Sequence, residues 1–344
     1  MNNSYESGSE RVRNYFRTPH AKIGLKKFRS LILCMPVLTD DAWNLQNLPK
    51  SLIIIGAGLI ACEYGHFFSS MGTKVTILGR GPQILKNEDP EISQVINKAL
   101  SKFMKVLTDH EVIGVELEDG QKVVSAHNRI DNKIYKFQSE QILLAAGRHS
   151  NADLLKPERT GVEIDQYGWI RVNEHLETTK RDIWALGDAI GKDMFRHTAS
   201  YQSNIVIHNL LQAEKFEDRM KADFHSVPHA VFTYPQVAGV GLKESQAIDA
   251  GYQVLVGRAK YTDVAKGVAM AEEQGFVKLV IEENTGRILG CSIIGSEAPV
   301  LIQQVVYLMN ADSQDMRPFL RSQIIHPTLS ETLAHALSNL ERPS

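Results

Sequence analysis

The hydrophobic pattern is irregular over residues 1–46 and then sharpens abruptly after Leu48-Pro49-Lys50. The apolar run Ser51–Ile55 reads as a buried parallel strand. A glycine-rich turn, Gly56-Ala57-Gly58, leads into an apolar-periodic stretch reaching Met71, which predicts a helix stopped by Gly72. Lys74–Leu78 is the next strand, so the segment reads as a βαβ unit. Asp89-Pro90-Glu91 has the form of a helix start, with Asp89 as N-cap, and Ile92, Val95, Ile96 and Ala99 share one face of that helix. From Val112 to Ile134 the pattern predicts a meander with a tight turn at Asp119-Gly120, and Gln141–Ala145 returns as a strand. A strand over Ile183–Leu186 and a helix over Thr198–Leu211 follow. After Val227 the signals become those of an antiparallel α+β region, with strands at His229–Thr233, Phe276–Glu282 and Arg287–Ile294 and helices at Glu244–Ala250 and Ala298–Asn310.

These elements divide the chain into an atypical leader (1–46), a Rossmann-like NAD(P)-binding domain (47–151), a further α/β part (152–225) and a C-terminal α+β domain (226–344). Composition agrees with a globular α/β protein: 344 residues, 43% hydrophobic, 23% charged, net charge −2. Near-neutral charge argues against nucleic acid as a partner. No apolar run approaches the ~18 residues a membrane span needs, and Met1–Arg13 is too polar for a secretory signal, so a cytoplasmic location is expected. The three cysteines, Cys34, Cys62 and Cys291, are far apart in sequence, which predicts small buried side chains rather than a local redox dithiol.

Gly56-Ala-Gly-Leu-Ile-Ala61 fits the dinucleotide pattern G-x-G-x-x-A between a strand and a helix. Gly56 permits the tight turn, Gly58 lets a pyrophosphate approach the backbone, and Ala61 lets helix and strand pack closely. An acidic residue at the end of the second strand would hold the ribose hydroxyls of NAD. Here the strand ends in Leu78-Gly79-Arg80, with Lys86 beyond, which suits the 2′-phosphate of NADP better than the unmodified ribose of NAD.

Four further segments extend the picture: Leu144-Ala-Ala-Gly147-Arg148, Trp184-Ala-Leu-Gly187-Asp188, Val231-Phe-Thr-Tyr-Pro235 and His326-Pro-Thr-Leu-Ser-Glu331. With the glycine turn, in this order and spacing, the chain resembles the class I pyridine nucleotide-disulfide oxidoreductases, the family of dihydrolipoamide dehydrogenase, mercuric reductase and mycothione reductase. The resemblance implies that 152–225 is the C-terminal part of an FAD-binding domain and that 226–344 is a dimerisation domain serving a homodimer. It implies FAD and NADP (or NAD) as cofactors and a small disulfide or dithiol as substrate. Gly147 is implied in cofactor binding, as are Gly187 and Asp188, the aspartate accepting from the flavin's ribityl chain. Arg196, His197 and Thr198 are implied beside the flavin, at a helix N-terminus suited to negative charge on the reduced ring. Glu63 is implied to pair with a flavin-side lysine, Leu59 to be an aliphatic gate at the nicotinamide, and His326 with Glu331 to be the acid–base pair.

The resemblance also brings an expectation of incompleteness. The family's opening βαβ unit with its own GxGxxG, and the CxxxxC pair after it, have no counterpart in this sequence. The chain is therefore expected to be N-terminally truncated, to bind FAD weakly and to reduce no disulfide unaided. Two rivals follow: a non-catalytic dimeric remnant or nucleotide-binding module, and a diaphorase-like NAD(P)H dehydrogenase that needs flavin but no dithiol.

Overall fold

The computed structural model describes residues 37–38, 42 and 44–343. A five-stranded parallel sheet has the order β1-β8-β2-β3-β4, built from β1 (Val37–Leu38), β2 (Ser51–Ile55), β3 (Lys74–Leu78), β4 (Lys105–Leu107) and β8 (Gln141–Leu144). Helices α1 (Leu59–Ser70) and α2 (Pro90–Leu100) are its crossovers. The expected N-cap is present: Asp89 accepts from the Glu91 N–H at 2.9 Å. Strand β1 falls within the segment read as a leader. Two residues are too few to show a hydrophobic period, and the pairing of Val37 with Leu143 is what makes them a strand. A three-stranded meander, β5 (His110–Glu118), β6 (Gln121–Asn128) and β7 (Ile134–Ser139), lies between β4 and β8 in sequence.

The C-terminal region is a six-stranded antiparallel sheet of order β14-β11-β12-β13-β10-β9: β9 (Pro228–Val231), β10 (Val237–Gly241), β11 (Val254–Lys260), β12 (Phe276–Glu282), β13 (Ile288–Ile294) and β14 (Leu340–Glu341). It carries α4 (Glu244–Asp249), α5 (Ala265–Ala269), α6 (Ala298–Met309), α7 (Arg317–Arg321) and α8 (Glu331–Ser338). This sheet and the parallel sheet fall in one compact unit, since Val231, Val237 and Ile294 join Leu52, Ile54 and Ile77 in a single apolar cluster.

Arg148–Val227 forms the second compact unit. It contains α3 (Arg196–Leu211), two residues longer at its start than expected. The expected strand Ile183–Leu186 is not formed. Isolated antiparallel bridges, Glu177 with Trp184, Val172 with Thr178 and Ile164 with Ile170, take its place. An apolar run can show that residues are buried, but a strand also needs a continuous partner backbone. Gly187–Ile190 then turns as a short 3-10 helix.

Candidate functional site

Strand β2 lies between β3 and β8, so the chain leaves it in one direction through α1 and returns on its other side at β8. Ligands of doubly wound sheets bind at such a switch point, outside the carboxyl ends of the strands. Gly56 follows β2 there, its N–H donating to Leu78 O at 2.9 Å. Its φ is +118°, and a Cβ would stand 2.2 Å from the Ala145 carbonyl oxygen after β8, so only glycine fits. Gly58 differs. Its φ of −86° is ordinary, and a Cβ there would meet nothing within 4 Å. The space a side chain would fill is open at the N-terminus of α1, which no side chain caps. Ala61 is fully buried where α1 lies on the sheet. A pyrophosphate fits this arrangement: open space, free N–H donors and the positive end of a helix. Gly147, with φ +125°, ends the neighbouring strand's exit.

The loop after β3 folds back over the glycine turn, with the Leu85 N–H donating to Ala57 O at 2.8 Å. Lys86 is thus anchored beside the turn, whereas Arg80 stands at the end of β3. Both are exposed and neither has an ion-pair partner among the described residues.

Glu63 on α1 is half-buried and accepts from the Phe232 N–H at 2.8 Å. Burial pushes its carboxyl up, and the Phe232 N–H partly offsets that. No lysine pairs with it among the described residues. Leu59 packs at the edge of the apolar cluster.

In the second unit, Gly187 has φ +65° and donates its N–H to Gln202 Oε1 at 2.5 Å. Asp188 is exposed and paired with Arg148 Nη1 at 2.7 Å, an orienting cation. The first turn of α3 holds Arg196, which bonds Ser200, and His197, whose ring stacks on Phe195. Thr198 Oγ1 and Gln202 Nε2 are buried polar atoms without a partner. Orphaned donors beside a helix N-terminus and an exposed carboxylate suit a polar cofactor edge such as the ribityl-flavin end of FAD. Gln202 was not singled out from the sequence. Its four-residue spacing from Thr198, one helical turn, was the available signal.

His326 is 67% exposed, and its Nδ1 lies 2.8 Å from Glu331 Oε1. Glu331 Oε2 accepts from the Thr328 N–H at 2.9 Å, fixing the carboxylate at the start of α8. His326 holds the Glu331 carboxyl below the usual carboxylate range, helped by the Thr328 N–H. A carboxylate on Nδ1 keeps the proton there and leaves Nε2 as the basic nitrogen facing outward.

Cys62 and Cys291 are buried free thiols. Burial pushes Cys62 up to about 12 and raises Cys291 as well, so neither is a thiolate nucleophile at neutral pH. Cys34 lies outside the described residues.

Comparison with known proteins supplies the frame for this geometry. Residues 32–203 match the family described as pyridine nucleotide-disulphide oxidoreductase. Residues 227–337 match the dimerisation domain of that family. The chain belongs to the pyridine nucleotide-disulphide oxidoreductase family. It is 36% identical over 304 residues to a mycothione reductase of Mycobacterium tuberculosis, covering 88% of this chain and 65% of that protein. It is 32% identical over 299 residues to a dihydrolipoyl dehydrogenase of Rhizobium etli, covering 86% of this chain and 61% of that one. Among solved structures, the HOCl-induced flavoprotein disulfide reductase of Escherichia coli is similar with a TM-score of 0.78 at 26% identity, over 92% of this chain and 69% of that one. The chain thus spans somewhat less than two thirds of the length of these two curated relatives. This family of oxidoreductases is FAD-dependent and uses NAD(P)H. No described helix is long and apolar enough to cross a membrane.

Proposed function

We propose that the chain carries the NADP(H) site, the ribityl-flavin end of the FAD site and the acid–base pair of an FAD-dependent NAD(P)H:disulfide oxidoreductase. The type proposed is that of dihydrolipoamide dehydrogenase or mycothione reductase, acting as a homodimer on a small disulfide or dithiol. The observation that carries this reading is the exposed His326 held by Glu331 at 2.8 Å, a pair aimed outward from the dimerisation-domain region. FAD, when bound, supplies the relay between hydride and thiol chemistry. The chain's own residues do the rest. The Gly56–Ala61 turn and the N-terminus of α1 hold the pyrophosphate, and Arg80 and Lys86 attract the further phosphate. Asp188, oriented by Arg148, accepts from a cofactor hydroxyl, and Thr198 and Gln202 complete that edge. His326 Nε2 takes a thiol proton, and Glu331 stabilises the resulting imidazolium.

A second reading has a specific observation behind it. With Cys62 and Cys291 both buried and protonated, the described residues hold no exchanging thiol, which favours diaphorase-like transfer to a quinone or dye, or a non-catalytic nucleotide-binding dimer. The test is to purify the full chain, record its flavin spectrum, and assay NADPH binding, dye reduction and disulfide reduction. The proposal expects nucleotide binding and self-association, weak flavin retention, and no turnover of lipoamide or mycothione by this chain alone. NADPH-dependent dye reduction without disulfide reduction identifies the diaphorase-like protein. A chain with no affinity for NADPH contradicts the proposal, and a colourless chain that binds NADPH and self-associates without any redox turnover favours the remnant.

A further inference from the structure

The loop after β3 is held by a chain of backbone hydrogen bonds that reaches into the meander. Gly79 donates to Leu107 O at 2.8 Å, His110 donates to Gly79 O at 2.8 Å, and Asp109 donates to Gly81 O at 2.9 Å. The Arg129 N–H then donates to Asp109 O at 2.8 Å. Arg129 lies just after β6, in the turn toward β7. Its guanidinium Nη1 approaches the Arg80 carbonyl oxygen at 3.4 Å across 49 positions of sequence. Two exposed arginines from different segments are thereby placed together at the end of the second strand, where the ribose 2′ position of a bound dinucleotide is read.

Neither Arg80 nor Arg129 forms an ion pair among the described residues. The nearby Asp131 is engaged by the Tyr135 hydroxyl at 2.6 Å and the Lys133 N–H at 3.0 Å. Two cations without an ion-pair partner on one stretch of surface make it electropositive and attractive to an anion. Arginine also offers a planar fork of donors suited to phosphate oxygens. We infer that Arg129 is a second 2′-phosphate contact, so that nucleotide selection depends on the β6–β7 turn as well as on the end of β3. The inference rests on the NADP(H) reading above and deepens it.

The test uses the full chain and two fragment probes differing only in the 2′-phosphate, adenosine 2′,5′-bisphosphate and 5′-AMP, with calorimetric titration as the readout. The wild type is expected to prefer the bisphosphate. Arg129→Ala is expected to reduce that preference about tenfold with 5′-AMP affinity unchanged, the worth of one charge-assisted contact. Arg129→Lys is expected to lie between, keeping charge but losing the fork. The inference is overturned if Arg80→Ala lowers the preference while Arg129→Ala leaves it intact, in which case the NADP(H) reading survives. It is also overturned if Arg129→Ala weakens both probes equally, which marks a structural role. If the wild type itself does not distinguish the probes, the NADP(H) reading falls and Arg129 with it.

Discussion

Gly56 and Gly58 are chemically identical and lie two residues apart, yet they are glycine for different reasons. Gly56 is required by the fold, because a Cβ would strike Ala145 O and the backbone is left-handed. Gly56→Ala is expected to destabilise the protein by ~1–3 kcal/mol, read as a lower thermal midpoint. Gly58 is not required by the fold, since its Cβ space is open and its φ is ordinary, and under the proposed function that space belongs to the ligand. Gly58→Ala is expected to leave the midpoint within about a degree or two while weakening NADPH binding at least tenfold. The His326–Glu331 pair offers an independent check by carboxyl NMR. Glu331 is expected to protonate below the ordinary ~4.3 of a glutamate, and His326→Gln is expected to move that titration upward. A Glu331 titration indifferent to His326 would show that the pair is not engaged in solution. The glycine turn and this pair were legible from sequence because each is a short string with fixed internal spacing. The Phe232 N–H on Glu63 comes from 169 positions away, and Arg129 from 49 beyond Arg80, so neither left a local signature.

At the level of elements, the helix α2 and the antiparallel sheet are joined by a charged cluster. Lys278 on β12 is 3% exposed, and its Nζ lies 2.8 Å from Asp89, 2.6 Å from Glu91 and 2.8 Å from Glu244. Arg258 on β11 adds a forked bond to Glu91. Lys278→Ala removes the central cation from carboxylates that include the buried Asp89, and is expected to cost ~3–5 kcal/mol in urea unfolding. Arg258 first, and then Lys278, hold Glu91 down to about 2. A depressed carboxylate contributes stability above its unfolded value near ~4.3, and that contribution is lost as pH falls toward 2. Glu91→Gln is therefore expected to be less stable at neutral pH but to lose less stability on acidification over that window. Equal slopes for variant and wild type would refute the coupling. Strands β2, β3 and β8 and helix α2 were readable because their periods and caps are local, whereas β1 and β4, two and three residues long, were too short to show one. The Ile183–Leu186 run was misread because pairing is a tertiary property, and Lys278 in the middle of a strand gave no sign of three acidic partners from two other helical starts.

At the scale of the whole molecule, the dimerisation-domain region leaves large apolar side chains in solvent. Val300 and Tyr307 lie seven positions apart on α6, with Leu320 on α7 and Ile325 beside His326. A pair at that spacing presents one stripe of a helix, and exposed apolar stripes of this kind mark association surfaces. Tyr307→Glu is expected to shift the chain from dimer to monomer in sedimentation equilibrium at micromolar concentration, with the secondary structure retained. Under the proposed function, the apolar face and the exposed His326 put dimerisation and proton transfer in the same C-terminal region, and the glycine turn on the parallel sheet takes the nucleotide. The central claim beneath all of this is that the open space at Gly58 is a working dinucleotide site. Calorimetric titration of the full-length wild-type chain with NADPH tests it most directly. Saturable one-to-one binding, abolished by Gly58→Val in a protein that still unfolds at the wild-type temperature, is the expected result. Absence of binding to the folded wild type, or unchanged affinity in the Gly58→Val protein, would contradict it.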